Sequence, residues 1–401
     1  MQADNENIRT VKANGLEIVA FSNQTRQDRK LLKKFVNFHW EHYRDEPQYI
    51  PLFDYEYLGL RLVGITGFFE PRNLFFKHAE IKFFLAFRDN EIVGRCVAFV
   101  NHDHNKHWND KVGFFGHFES IDDQPVTDAL VNAAREWLHA RGMDTIRGPQ
   151  NLPVNEATPG IMTDGFDTRP VIYYSYNKKY YEKLMRGAGF EPVKRVFSWE
   201  VPVMNPMEEK LERVVQKIID RYNITIESWD ERPYEIRKKE MLEIYNDAWN
   251  DNFGFIPFSE EEFYTILEAM KLILDKGLFQ FLYIKGEPAA FLGAVPNIFD
   301  KMKPGRVFRR WEFLRLVKMF LTKGGIKGFR LGYLGVKKKY QHLGLDGAMI
   351  KKQKIYTQEN GFVYSDLGWV LEDNVKAIRT IEMMGPTPSK TYTIFEKKIE
   401  A

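Results

Sequence analysis

The chain has 401 residues, too many for one ordinary hydrophobic core and enough for two domains. Its 58 basic and 55 acidic residues leave a net charge of +3, which speaks against a general nucleic-acid binder. A single cysteine, Cys96, excludes a disulfide framework and a cysteine-rich zinc site. The polar start MQADNENIRTVKANG and the absence of any run of 18 apolar residues predict a cytoplasmic protein with no spanning segment.

In chain order, Phe83 to Val100 reads as a β-hairpin: an apolar run, the polar turn DNE, and a second apolar run. His102, His104 and His107 follow in NHDHNKHWND, and their spacing suits a solvated hairpin loop better than a metal site. ESIDDQPVTD, Glu119 to Asp128, precedes a helix over Val126 to Gly142, whose Leu130, Ala134 and Leu138 share one face. A long polar insertion, Gly148 to Asp167, either reaches toward a cleft in the second half or braces an interface. A further helix stops at Gly189, as at a C-cap, and a strand carrying Lys194 and Trp199 follows. Val203 to Glu209 (VMNPMEE) reads as a linker.

The second half repeats this grammar. After an aromatic segment with Trp249, Asn250, Asn252, Phe253 and Phe255, and a capping box at Ser259 and Glu262, a hairpin spans Gln280 to Pro296. The basic stretch Asp300 to Arg330 reads first as a surface helix on its own domain, with peripheral membrane contact or cover for an acyl chain as the alternative. A strand over Arg330 to Val336 enters KKKYQHLGLDG, and a helix runs on to Gly361. The last helix stops at Gly385, with Lys390 and Phe395 placed after it as Lys194 and Trp199 are after Gly189. Each half therefore reads as a mixed α/β (α+β) sheet domain, 1–204 and 205–401.

The loop at Lys337 to Gly347 carries the chemistry. A strand feeding a glycine-containing loop at a helix N-terminus presents backbone N–H groups and a favourable dipole to an anion. Gly344 and Gly347 allow close backbone approach, and Lys337, Lys338 and Lys339 add positive charge. The guest is a phosphate or pyrophosphate. The corresponding loop of the first half has no glycine and carries Asp122, Asp123 and Pro125, so it should repel one.

Val336-x-x-x-x-Gln341-x-x-Gly344 resembles the pyrophosphate loop of the GNAT (GCN5-related N-acetyltransferase) superfamily. Asn374-x-x-Ala377-x-x-x-Ile381-Glu382-x-x-Gly385 resembles its later helix motif. The second half matches by motif and the first by layout only. More narrowly, the chain is similar to a family of two-domain bacterial GNAT-like proteins. The resemblance implies acetyl-CoA or another acyl-CoA as donor, held by Leu334, Gly335, Val336, Gln341, His342, Leu343, Gly344, Leu345, Asp346, Gly347, Asn374 and Ala377. It also implies direct attack by a small-molecule or peptide amine, with acetyl the first expectation for the acyl group. Trp249, Asn250, Asn252 and Phe253 would border the acceptor. The strands near Leu334 and Gly368 should splay, and a backbone N–H near Gly335 should steady the oxyanion.

Glu372 and Asp366 are the candidate bases and Tyr333 the candidate thiolate donor. Two departures stand out. Asp346 replaces a small residue, with helix capping its ordinary role, and Ile381 replaces the tyrosine that often protonates the thiolate. No metal is implied. The alternatives are a non-catalytic CoA-sensing or partner-binding scaffold and a relative of the aminoacyl transferases with tRNA-borne donors. The oligomeric state is left open.

Overall fold

The computed structural model describes residues 9–13, 15–60, 64–207, 209–271, 274–302 and 325–400. The basic stretch singled out above lies mostly outside them. The chain divides into two compact units. Unit 1 takes the described residues of Met1–Arg195 together with those of Thr391–Ala401, and unit 2 takes the described residues of Val196–Met302 and Val317–Lys390.

Unit 1 contains β1 (Arg9–Ala13), β2 (Leu16–Phe21), α1 (Arg26–His42), α2 (Asp54–Leu58), β3 (Ala79–Arg88), β4 (Glu91–Asn101) and α3 (His102–Trp108). It continues with β5 (Val112–Ser120), α4 (Gln124–His139), β6 (Thr145–Gly148), β7 (Ile161–Asp164) and α5 (Tyr181–Gly187), and the next strand is β8 (Glu191–Pro202). Unit 2 contains α6 (Glu209–Tyr222), β9 (Ile224–Ser228), α7 (Tyr234–Ala248), α8 (Glu260–Met270), β10 (Phe279–Ile284) and β11 (Glu287–Pro296). Then come β12 (Gly328–Val336), α9 (Leu345–Glu359), β13 (Tyr364–Leu371), α10 (Val375–Glu382) and β14 (Thr387–Lys398).

Each unit is a mixed sheet flanked by helices. Unit 1 has the order β1-β2-β3-β4-β5-β6-β14, with β7 also on β14. Unit 2 has β8-β13-β12-β11-β10-β9. The last strand of each half therefore lies in the other half's unit. Phe395 is fully buried in the unit 1 core beside Phe115 and Phe190, while Trp199 packs with Val201 and Leu367 in unit 2. The repeat that relates Trp199 to Phe395 is visible in sequence, but their exchange is not, because an amphipathic strand pattern does not name its partner.

The cores explain the aromatic content. Phe21 stacks on Phe83 at 5.3 Å, and Phe35 meets Phe83 and Phe69 edge-on at 5.4 and 5.8 Å. Burying each such ring contributes roughly 1.5–3 kcal/mol. The 3,4 spacing of the first predicted helix holds: Val126, Leu130, Ala134 and Leu138 of α4 are buried against the sheet. The capping box at Ser259 is also present. The three-histidine segment is a helix, α3, rather than a solvated loop, and His104 is buried in it. Among the described residues no group of His, Cys, Asp or Glu could hold a metal ion.

Candidate functional site

The site in unit 2 begins where two parallel strands part. β12 and β13 are in register from Gly328↔Tyr364 to Leu331↔Leu367 and no further, although β12 continues to Val336 and β13 to Leu371. The pairing of β12 with β11 supplies a cause. Its register moves from Gly293↔Tyr333 to Ala294↔Leu331, so Gly332 is one residue too many, a β-bulge. A bulge bends and twists its strand, and this one sits where β13 is released. Beyond it, one edge of β12 presents peptide groups that β13 does not take up.

Arg330 stands at the foot of the split. It is buried, in register with buried Asp366, and its Nε donates to the carbonyl of Gly368 at 3.0 Å. Sequence reading missed it. The signal was a charge between Phe329 and Leu331 within a core strand.

The loop follows. The N–H of Lys337 closes on the Ala289 carbonyl at 2.9 Å, a 3-10 turn covers Lys338–Leu343, and Gly344 caps α9 with φ +70°. At that angle an L side chain is strained. No side chain caps α9, so the amides of Leu345, Asp346 and Gly347 keep the open geometry of a first turn. Gln341 Nε2 donates to the Val336 carbonyl at 3.1 Å, and Lys376 Nζ donates to the Gln341 carbonyl. His342 is exposed. The side chains of Leu334, Val336, Leu343 and Leu345 pack with Val215, Leu292 and Met349, so these positions can offer a ligand only their backbone.

Three expectations change. Asp346 is not the cap: that position is Gly344, and its carboxylate accepts from Thr380 Oγ1 of α10 at 3.2 Å. Gly347 is needed for packing, since a Cβ there would lie 2.8 Å from Val215 Cγ2 of α6. The three lysines do not stand ready for a phosphate. Lys337 pairs with Glu243 at 2.5 Å, Lys338 with Asp251 at 2.7 Å and Lys339 with Glu287 at 2.7 Å. Their carboxylates are solvent-exposed, so these pairs are weak and exchangeable.

On the other face of β12, Trp249 covers Gly335, where a Cβ would fall 2.6 Å from its indole. Trp249 ends α7 and rests on Tyr245 and Phe291 at centroid distances of 4.9 and 5.7 Å. The turn after it is held by the Asn252 N–H on the Trp249 carbonyl (2.8 Å) and the Phe255 N–H on that of Asn252 (3.0 Å). Asn250 Nδ2 donates to Asp251 at 3.2 Å, and Phe253 is half-buried. Trp249 is therefore the member of this group that the fold brings against the split.

Tyr333 lies half-buried on β12 just past the bulge, and Glu372 half-buried just past β13. Asp366 lies in the paired part of the strands, only 2% exposed. Asn374 Oδ1 accepts from the Ala377 N–H at 3.2 Å, so these two motif residues meet each other in the cap of α10. Ile381 is buried with Leu331, Leu367 and Val201, a hydrocarbon contact at the foot of the split.

Unit 1 repeats the construction and then closes it. Pairing of β5 with β6 ends at Phe114↔Arg147, and the β4–β5 register shifts between Arg95 and Val97. The Ile121 N–H closes on Val93 as that of Lys337 does on Ala289. Only Asp122 and Asp123 then precede α4; Pro125 lies in its first turn, and Asp123 pairs with Arg88 at 2.6 Å. The parting strands are filled by the polar insertion. The Gln150 N–H bonds the Phe115 carbonyl (2.7 Å), the His117 N–H bonds Asn151 Oδ1 (2.6 Å), and the Leu152 N–H bonds His117 Nε2 (2.9 Å). Gly116 has no room for a Cβ against the Gln150 carbonyl. Burial holds the His117 imidazole down at about 3, so it is the neutral acceptor this bond needs.

The sequence is 30% identical over 334 residues to the bacterial ceramide synthase of Caulobacter vibrioides, covering 82% of this chain and 86% of that protein. The chain belongs to that protein's family. The YghO protein of Escherichia coli is 27% identical over 380 residues, covering 92% of this chain and 93% of its own length. A tandem GNAT protein from the clavulanic acid biosynthesis pathway superposes with a TM-score of 0.54 at 11% identity, covering 96% of this chain and 99% of that one. A GCN5-related glucosamine N-acetyltransferase region of a fungal β-N-acetylglucosaminidase gives 0.56 at 13% identity, covering 96% of this chain and 38% of that one. No protein-family model matches. The fold is thus the tandem GNAT fold expected from the motifs of the second half and the layout of the first, and fold and family together make the protein an acyltransferase. No helix among the described residues is long and apolar enough to cross a membrane.

Proposed function

We propose that the chain transfers an acyl group from acyl-CoA to a primary amine, with the donor held by unit 2 alone. The observation that carries this is the β12/β13 split opening beside the Gly344-capped start of α9. First-turn amides suit a pyrophosphate. A strand edge without its partner suits an extended amide arm and, at its end, a thioester carbonyl that backbone N–H groups polarise. Bound acyl-CoA would supply the activated acyl group. This chain's residues would orient it, and Trp249 would border the amine.

Glu372 and Tyr333 suit proton transfer better than Asp366, which is buried in the paired sheet beside Arg330. With Ile381 buried in hydrocarbon, Tyr333 is our candidate phenol for the leaving thiolate. Ceramide is the amide of a long-chain amino alcohol. The ceramide synthase relative therefore favours a fatty acyl donor over acetyl, and an amino-alcohol lipid as the acceptor class. Such an acceptor gives a reason for the basic apolar stretch in residues 303–324 to contact a membrane surface. The filled split of unit 1 argues that it binds no CoA.

Ile381 favours a second reading, a scaffold that binds CoA without turnover. Thermal unfolding with CoA, acetyl-CoA and a long-chain acyl-CoA tests binding. A ligand at 100 times its dissociation constant adds about 2.7 kcal/mol, and Gly344→Glu should abolish the gain. No shift with any of the three sinks the donor assignment. A shift without amide formation from long-chain amino alcohols selects the scaffold reading.

A further inference from the structure

Unit 1 carries a polar cluster at the position where unit 2 places Trp249 over Gly335. Two anchors fix the correspondence. Ile121 and Lys337 close on equivalent carbonyls, and Glu119 pairs with Arg95 on β4 as Gly335 does with Phe291 on β11. Tyr43 caps α1 at its C-terminus as Trp249 caps α7. The aromatic cap of unit 2 thus meets a bare strand, whereas that of unit 1 meets a carboxylate.

That carboxylate is built into a network. Glu119 Oε2 accepts from Tyr43 and Tyr181, each at 2.5 Å. Arg95 Nη2 stands 3.5 Å from Oε1, and His42 Nε2 lies 2.7 Å from the Tyr181 hydroxyl. Aromatic rings wall one side: Tyr43 stacks on Tyr49 at 4.1 Å, and Tyr176 meets both near 6 Å (5.8 and 6.0 Å). An ammonium already rests on that wall. Lys178 Nζ lies 5.6 Å over the Tyr43 ring and bonds Glu46 at 2.8 Å. Glu119 keeps 11% of its side chain accessible, and Tyr176, Lys178 and Glu46 form a half-buried rim.

We propose that this cluster is a second amine-binding site, in unit 1 and apart from the acceptor position beside Trp249, in which Glu119 receives the amino group of a long-chain amino alcohol and the tyrosine rings flank it. The inference rests on the amine-acceptor reading above but needs no CoA. A carboxylate with tyrosine rings binds an ammonium by charge-assisted hydrogen bonds and by the ring quadrupole. Lys178 is a tethered competitor for the same wall.

The test is calorimetric titration of the full chain with 2-amino-1-octanol, against 1,2-octanediol, which lacks the amine. The wild type should prefer the amine by about tenfold or more, the worth of a charge-assisted hydrogen bond. Glu119→Gln should remove the unit 1 site's share of the preference, seen as the loss of one class of amine binding, while CoA still raises the melting temperature, which shows an intact fold. Lys178→Met should strengthen amine binding severalfold, an effect that general damage would not produce. A wild type without amine preference, or a Glu119→Gln variant that keeps that class of binding, overturns the site. If the amine results hold and CoA gives no shift in any variant, the donor assignment fails while this site stands, with circular dichroism then confirming that Glu119→Gln is folded.

Discussion

At Gly344 a backbone angle, not a side chain, makes the helix end that would face an anion. Gly344→Ala should cost roughly 1–2 kcal/mol through its φ alone, with Ile218 already 3.2 Å from the added methyl; urea unfolding reads this directly. Gly116 is a stricter case, because its obstacle is the Gln150 backbone, which no rotamer change relieves. Gly116→Ala should therefore cost about 3 kcal/mol, the upper end for overpacking. The loss should appear in unit 1, with CoA affinity unchanged. An alanine variant of wild-type stability would show that the insertion does not fill the split. Trp249→Ala should raise KM for the amine several times more than Kd for CoA, since the indole covers β12 on the face away from α9; equal effects would remove it from the acceptor side.

At the scale of elements, β14 matters most. It pairs with β6 and β7 of unit 1, buries Phe395 there and leads directly into buried Ile399. Deleting Thr391–Ala401 should expose unit 1, though these residues end the half that forms unit 2; limited proteolysis should then cut first within residues 79–148. Survival of that region would mean that β14 is dispensable. Unit 1 also holds His42, His104 and His117, whose imidazoles are each held down at about 3 from 6.5, chiefly by burial. The sign follows from proton uptake. Between pH 6.5 and 3 the unfolded chain binds these protons and the folded chain does not, so this stability is complete above 6.5 and falls as the pH drops. Glu119, with its pKa raised by burial, acts in the opposite sense. Hydrogen exchange in β4 and β5 should speed up more between pH 7 and 4.5, after correction for intrinsic rates, than in β10 and β11. Equal changes would contradict the burial of these rings.

For the chain as a whole, the two units share one architecture and treat the same split differently. In unit 2 it stays open beside a glycine cap. In unit 1 the residues Gln150, Asn151 and Leu152 take up the freed strand groups. Titration should give a single CoA per chain. A value near two would require the insertion to leave the split.

The sequence by itself determined the local devices. Hairpins, amphipathic helices, the Gly189 and Gly385 stops and the glycine loop at Gly344 are each written within a few residues by hydrophobic period and backbone freedom. The tandem repeat was legible for the same reason, as was the loss of the loop at Asp122 and Asp123. Only the tertiary structure decided the exchange of β8 and β14, the bulge at Gly332, the place of Trp249 over Gly335, and the engagement of Lys337, Lys338 and Lys339 by carboxylates distant in sequence. These depend on which strand or helix a segment meets. A strand's pattern says which face is apolar but not whose core will receive it.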